Sequence, residues 1–76
     1  MKTNVSIKFN SIEEYREIEK KLIELGYDND KQWNSEMIKL FPLSPSCVKI
    51  YDNKLFCIMD YSEDIKQYNS LKEFLT

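Results

Sequence analysis

The feature that most limits the fold is a change of hydrophobic period across residues 5–25. Val5-Ser6-Ile7-Lys8-Phe9 alternates, so Val5, Ile7 and Phe9 share one side of a half-buried strand, with Ser6 and Lys8 on the other. Ser11-Ile12-Glu13-Glu14 follows at once and has the form of a capping box, with a serine hydroxyl for the N3 amide and a glutamate reaching back. Ile12, Tyr15, Ile18, Leu22 and Leu25 then recur at helical spacing, and Glu13, Glu17, Lys20, Lys21 and Glu24 lie mostly on the opposite side. Glu17 and Lys21 form a favourable i,i+4 pair. Gly26, the only glycine, stands where a helix C-terminus favours a left-handed residue. The spacing predicts a helix over 11–25. A strand and a helix with one apolar side each must lay those sides together, which is an α+β layer.

Further along, Cys47-Val48-Lys49-Ile50-Tyr51 and Leu55-Phe56-Cys57-Ile58-Met59-Asp60-Tyr61 read as a β-hairpin about Asp52-Asn53-Lys54. Asp52-Asn53 and Asn53-Lys54 both serve as two-residue turns, because Asn and Asp tolerate positive φ. Either one places Val48, Ile50, Leu55, Cys57 and Met59 on one face and Lys49, Tyr51, Phe56 and Ile58 on the other. Cys47 and Cys57 are thereby expected on opposite faces, which forbids a disulfide. Residues 27–46 carry a weaker pattern. Asp28-Asn29-Asp30 reads as a turn, Trp33 sits among polar neighbours as in a loop, and 36–41 reads as a short strand ended by Pro42 and Pro45. Ser62-Glu63-Asp64 marks a loop. Ser70-Leu71-Lys72-Glu73 is a second capping box opening a short C-terminal helix. The stretch 9–15 echoes 68–74, which shared cap chemistry explains more simply than duplication. The expected fold is one α+β domain over residues 1–76. In it a small antiparallel sheet of three or four strands, in β-α-β-β-β-α order, packs on one main helix with a short C-terminal helix.

The same residues narrow the chemistry. The chain of 76 residues contains no histidine, which removes the commonest general base near neutral pH, the Ser-His and Cys-His nucleophile pairs and every histidine metal site. One glycine leaves no phosphate-cradling loop, and two cysteines on opposite faces make no zinc site. No catalytic, metal-binding or cofactor-binding residue is expected. The net charge is −2, from 11 basic and 13 acidic residues, and scattered lysines argue against nucleic acid. No apolar run approaches the ~20 residues of a membrane span, and Met1-Lys2-Thr3-Asn4 opens no signal peptide, so the cytoplasm is the expected compartment. A chain this short buries only about 60% of its unfolded surface, so function is expected on an outer surface or in a subunit interface, and not in a deep cleft.

A sheet covered by helices on one side normally shows water a polar outer face. Here the outer face is expected to carry Lys49, Tyr51, Phe56 and Ile58. Either residues 27–46 fold over it with Trp33 as the plug, or it is an exposed aromatic patch that binds a protein or a second copy of the chain. Glu63 and Asp64 flank it after the last strand. With Asp60 they also form the carboxylate set that a small hydrolytic enzyme would need, although a solvated acidic loop is the commoner meaning. Tyr15 fits the helix's core stripe, while Tyr27, Tyr51, Tyr61 and Tyr68 could anchor a protein or stack on a nucleotide base.

Asn10-Ser11-Ile12-Glu13-Glu14-Tyr15 through Glu24-Leu25-Gly26-Tyr27, then Trp33, Val48-Lys49-Ile50-Tyr51, Tyr61 and the ending Leu71-Lys72-Glu73-Phe74-Leu75, resemble small α+β proteins encoded by bacteriophages and prophages of low-GC bacteria. That resemblance implies a protein that binds and disables a host protein, defence systems included, in the host bacterial cytoplasm; some such proteins sequester signalling nucleotides. The leading expectation is a non-enzymatic, protein-binding inhibitor or adaptor using Trp33, Lys49, Tyr51, Phe56, Ile58, Glu63 and Asp64. An oligomeric module that captures a nucleotide and a small carboxylate-dependent enzyme are the alternatives.

Overall fold

The computed structural model describes residues 1–43, 46–60 and 64–76. Strand β1 (Val5–Lys8) runs into helix α1 (Ile12–Glu24), followed by β2 (Asp28–Asn29), α2 (Lys31–Ile38), β3 (Cys47–Ile50), β4 (Leu55–Met59), β5 (Lys66–Tyr68) and α3 (Leu71–Leu75). The α+β class is as expected. The sheet is larger than expected and mixed, with five strands in the order β2-β4-β3-β1-β5. β1 pairs with β3 and β3 with β4 in antiparallel fashion, while β5 lies parallel to β1 and β2 parallel to β4. Both added strands are edges of two or three residues, too short to carry a period of two.

Each helix starts where cap chemistry places it. Ser11 Oγ accepts the Glu14 amide at 3.1 Å, and Ser70 Oγ accepts the Glu73 amide at the same 3.1 Å. In both cases the glutamate reaches one residue further back than in the standard box, to the amides of Asn10 at 2.8 Å and Asn69 at 3.4 Å. Gly26 ends α1 at φ +95°. Its amide bonds to Ile23 O at 3.1 Å and that of Tyr27 to Leu22 O at 3.0 Å, a Schellman closure whose left-handed residue carries no Cβ penalty.

The core lies between α1 and one face of the sheet. Val5, Ile7 and Phe9 meet Val48, Ile50, Phe56 and Ile58 on that inner face, with Tyr15, Ile18 and Leu22 of α1, Ile38 of α2 and Phe74 of α3 laid over it. Phe9 stacks obliquely on Tyr15 at 5.4 Å. The buried Tyr15 hydroxyl donates to Glu19 Oε2 at 2.9 Å, so its polar end is satisfied inside the core.

Phe56 and Ile58 correct the expected hairpin. The register pairs Val48 with Ile58 and Ile50 with Phe56, so these four side chains share the inner face and each is 0% exposed. The turn is the cause. Lys54 N–H donates to Tyr51 O at 3.0 Å, Tyr51 N–H donates to Leu55 O at 2.9 Å, and Lys54 has φ +72°. This is a three-residue loop, a type I turn plus a left-handed residue. Either two-residue turn would have given the opposite parity, because one added residue turns every side chain of a strand to the other face. The cysteines move with it. Cys47 faces Met59 and Cys57 faces Lys49, so both thiols lie on the outer face as diagonal neighbours, and both are free.

Residues 36–41 are not a strand. Asp30 caps α2 by accepting the Trp33 amide at 3.3 Å, and the helix runs alongside β4 where β2 stops. There the side chains of α2 replace a missing strand. Asn34, 2% exposed, takes the Ile58 amide on Oδ1 at 2.7 Å and gives its Nδ2 to Phe56 O at 3.1 Å and to Asn29 Oδ1 at 2.8 Å. Trp33 Nε1 donates to Ile58 O at 2.9 Å. The described part of segment 27–46 therefore closes an edge of the sheet.

Two stability outcomes follow from these contacts. Asn34→Ala strands the buried Ile58 amide, while Phe56 O keeps the Asp30 amide at 3.3 Å, at a cost of roughly 1–3 kcal/mol. Out of about 4–11 kcal/mol typical for a chain of this length, that lowers the thermal midpoint in a calorimetric scan by roughly 5–20 °C. Lys54→Gly removes the left-handed strain and raises it by about 3–6 °C.

Candidate functional site

Trp33 is the side chain that the structure makes most conspicuous. The residue is 44% exposed, yet its indole N–H is fixed to the Ile58 carbonyl and its backbone amide to Asp30. A large aromatic surface is thus held in one position while facing solvent. On α2 it is joined at i+4 by half-buried Met37, and Leu40, in the turn that follows the helix, is 49% exposed. Asp30, Gln32, Trp33, Glu36 and Met37 line a hollow of about 390 Å³.

Asp30 ties this hollow to the outer face of the sheet. One carboxylate oxygen caps Trp33, and the other accepts the Cys57 thiol at 3.7 Å. Cys57 in turn lines a second hollow of about 510 Å³ with Asn4, Tyr51, Asp52, Asn53 and Leu55, at the turn of the hairpin. Here Lys49 holds its ammonium 4.5 Å above the Tyr51 ring. Both side chains are half-buried, on the outer face as expected from sequence, though without Phe56 and Ile58. Ser6 and Cys47, further along this face, are 2% and 1% exposed. The Ser6 hydroxyl has no hydrogen-bond partner among the described residues, and Cys47 Sγ accepts Gln67 Nε2 at 2.8 Å.

The expected site is therefore divided. Trp33 stands on the β4 edge, Lys49 and Tyr51 on the outer face, and Phe56 and Ile58 inside the core. Asp64 is exposed in the turn before β5, and Glu63 lies outside the described residues, as does Tyr61. The described tyrosines are dispersed over the fold. Tyr15 and Tyr27 are buried in the core, while Tyr68 packs edge-on against Phe74 at 5.5 Å beneath Lys2 and Lys66. Among the described residues no three metal-ligating side chains gather, and no helix is long and apolar enough to cross a membrane. Sequence reading missed Asp30, Met37, Leu55 and Cys57. An Asp three positions before Trp33 is a helix-start signal that could have revealed α2. The three-residue loop is a known hairpin length that would have placed Leu55 and Cys57 beside Tyr51.

Burial pushes the Cys57 thiol up from its ordinary 9.0 to about 11, and the neighbouring Asp30 carboxylate adds to the effect. Cys47 is raised as well, again chiefly by burial. Near pH 8 the thiolate fraction of Cys57 is roughly a hundredfold below that of an ordinary thiol, so it is a poor nucleophile. Iodoacetamide at pH 8 should label it slowly in the folded chain and rapidly in urea. A raised thiol pKa stabilises the fold below the unfolded value, and this stability disappears as pH climbs through the folded value. The urea midpoint should accordingly fall between pH 9 and pH 11, less steeply in Cys57→Ala. No family model, curated protein or solved structure matches the chain.

Proposed function

We propose that this chain is a binding protein that docks a protein partner on the Trp33 edge and acts as an inhibitor or adaptor. The observation that carries the reading is Trp33 itself, 44% exposed and locked through Nε1 to Ile58 O at 2.9 Å. Binding costs conformational entropy whenever a side chain must be frozen, and here the freezing is done in advance by the scaffold. Tryptophan is also among the residues that most often dominate interface energy, because it brings a large apolar area with a polar handle. Met37 on α2 and Leu40 in the turn after it add exposed apolar area. The likeness of the sequence to small phage and prophage proteins favours a bacterial host protein, a defence component included, as the partner.

The test is affinity capture from a bacterial lysate with mass spectrometry, comparing the wild-type chain with Trp33→Ala. The variant loses one hydrogen bond to a strand edge, about 1 kcal/mol, and its far-UV circular dichroism should stay native. A protein retained by the wild type should be depleted on Trp33→Ala. Equal retention by both chains refutes the Trp33 edge as the docking surface.

A further inference from the structure

We infer that the hollow beside Trp33 receives the guanidinium of an arginine presented by the protein partner. This rests on the docking surface proposed above and adds the chemistry of what enters it.

Four other rings, two buried and two half-buried, are treated differently. Lys2 stands 4.9 Å from the Tyr68 ring centre and 5.1 Å from that of Phe74, Arg16 5.6 Å from Tyr15, Lys49 4.5 Å from Tyr51 and Lys66 5.4 Å from Tyr68. These aromatic faces already carry an internal cation. Trp33 has none among the described residues, although indole attracts cations more strongly than phenol or benzene rings do.

The walls of the hollow supply the complementary charge. Asp30 and Glu36 bring carboxylates to it beside the indole, Gln32 an amide and Met37 an apolar wall. Asp30 is held in place by the Trp33 amide and the Cys57 thiol. Among the described residues Glu36 is engaged by Lys39, at 3.4 Å with both side chains about 70% exposed, a surface pair that an incoming cation can exchange. Lys31, two positions before Trp33, does not share its side of the helix. A planar guanidinium can lie on the indole while its fork meets carboxylate oxygens, and its aliphatic stem can cover Met37. An acidic side chain would meet two carboxylates and a negative ring face. The hollow of about 390 Å³ has room for one long side chain, and the overall charge of −2 favours the approach of a basic segment.

The chain has a single tryptophan, so its indole N–H gives one unambiguous signal in a nitrogen–proton correlation spectrum. The test titrates the labelled protein with the acetylated, amidated peptide Ala-Leu-Arg-Leu-Ala and with the same peptide carrying citrulline or glutamate at the centre. The arginine peptide should shift the indole signal and the amides of Gln32, Glu36 and Met37 to saturation. Citrulline should bind about tenfold more weakly and glutamate not measurably. Glu36→Gln, at a solvent-facing position, should weaken the arginine peptide, and Lys39→Ala, which frees the Glu36 carboxylate, should tighten it. Equal shifts with arginine and citrulline would leave an apolar docking surface and overturn the cation site. No shift with any peptide would overturn it too, while the capture experiment on Trp33→Ala separately decides whether the edge binds protein at all.

Discussion

Asn34 is the contact on which the arrangement of the molecule turns. Strand β2 is only two residues long and leaves the second half of β4 without a neighbour on that side. In a small domain an uncovered row of amides and carbonyls either wastes hydrogen bonds or recruits another chain. One carboxamide answers both problems, because its oxygen and its amide mimic the acceptor and donor that a strand would present to Ile58 and Phe56. The same bonds seat α2. Isolated helices of this length are marginal in water, and α2 contributes only Asn34 and Ile38 as fully buried side chains. Its position comes from the polar clamp at least as much as from apolar packing, and Trp33, Asp30, Glu36 and Met37 are placed by it.

A second determinant is the length of the hairpin loop. With Lys54 in a left-handed conformation the loop holds three residues, and the inner face of the sheet becomes Val48, Ile50, Phe56 and Ile58. That set is β-branched and aromatic and matches the alternating Val5-Ile7-Phe9 of β1. The outer face inherits smaller or amphipathic side chains, of which Ser6, Cys47 and Cys57 are buried and Lys49 and Tyr51 half-buried. The fold thus keeps its largest apolar groups for a single core, as a chain with so little interior must.

How much of this could be read from sequence depended on whether the signal was local. Both cap motifs, the α1 stripe, the glycine stop and the two hairpin strands are local, and the structure contains them. The facial assignment of the hairpin failed because it rests on one residue of loop length, and Asp52-Asn53-Lys54 supports two- and three-residue turns alike. Helix α2 was missed because Gln32, Asn34 and Ser35 look like a loop when their partners are unknown. Asn34 is a strand surrogate only once β4 lies beside it, and those contacts span more than twenty positions of chain. The candidate site suffered likewise. Trp33 was recognised as unusual, while the carboxylates that give its hollow a charge preference belonged to a helix not yet seen.

Closing the β4 edge with side chains also restricts the manner in which anything can recognise this surface. A visiting peptide cannot extend the sheet there by strand addition, since the Phe56 and Ile58 groups it would need are already taken. Recognition at that edge must proceed through side-chain shape and charge alone. Backbone ladders are nearly indifferent to sequence, so an edge closed in this way exchanges easy promiscuity for discrimination. The discriminating residues Gln32, Glu36 and Met37 are outward-facing or half-exposed positions of α2, free to vary while Asn34 holds the helix in place.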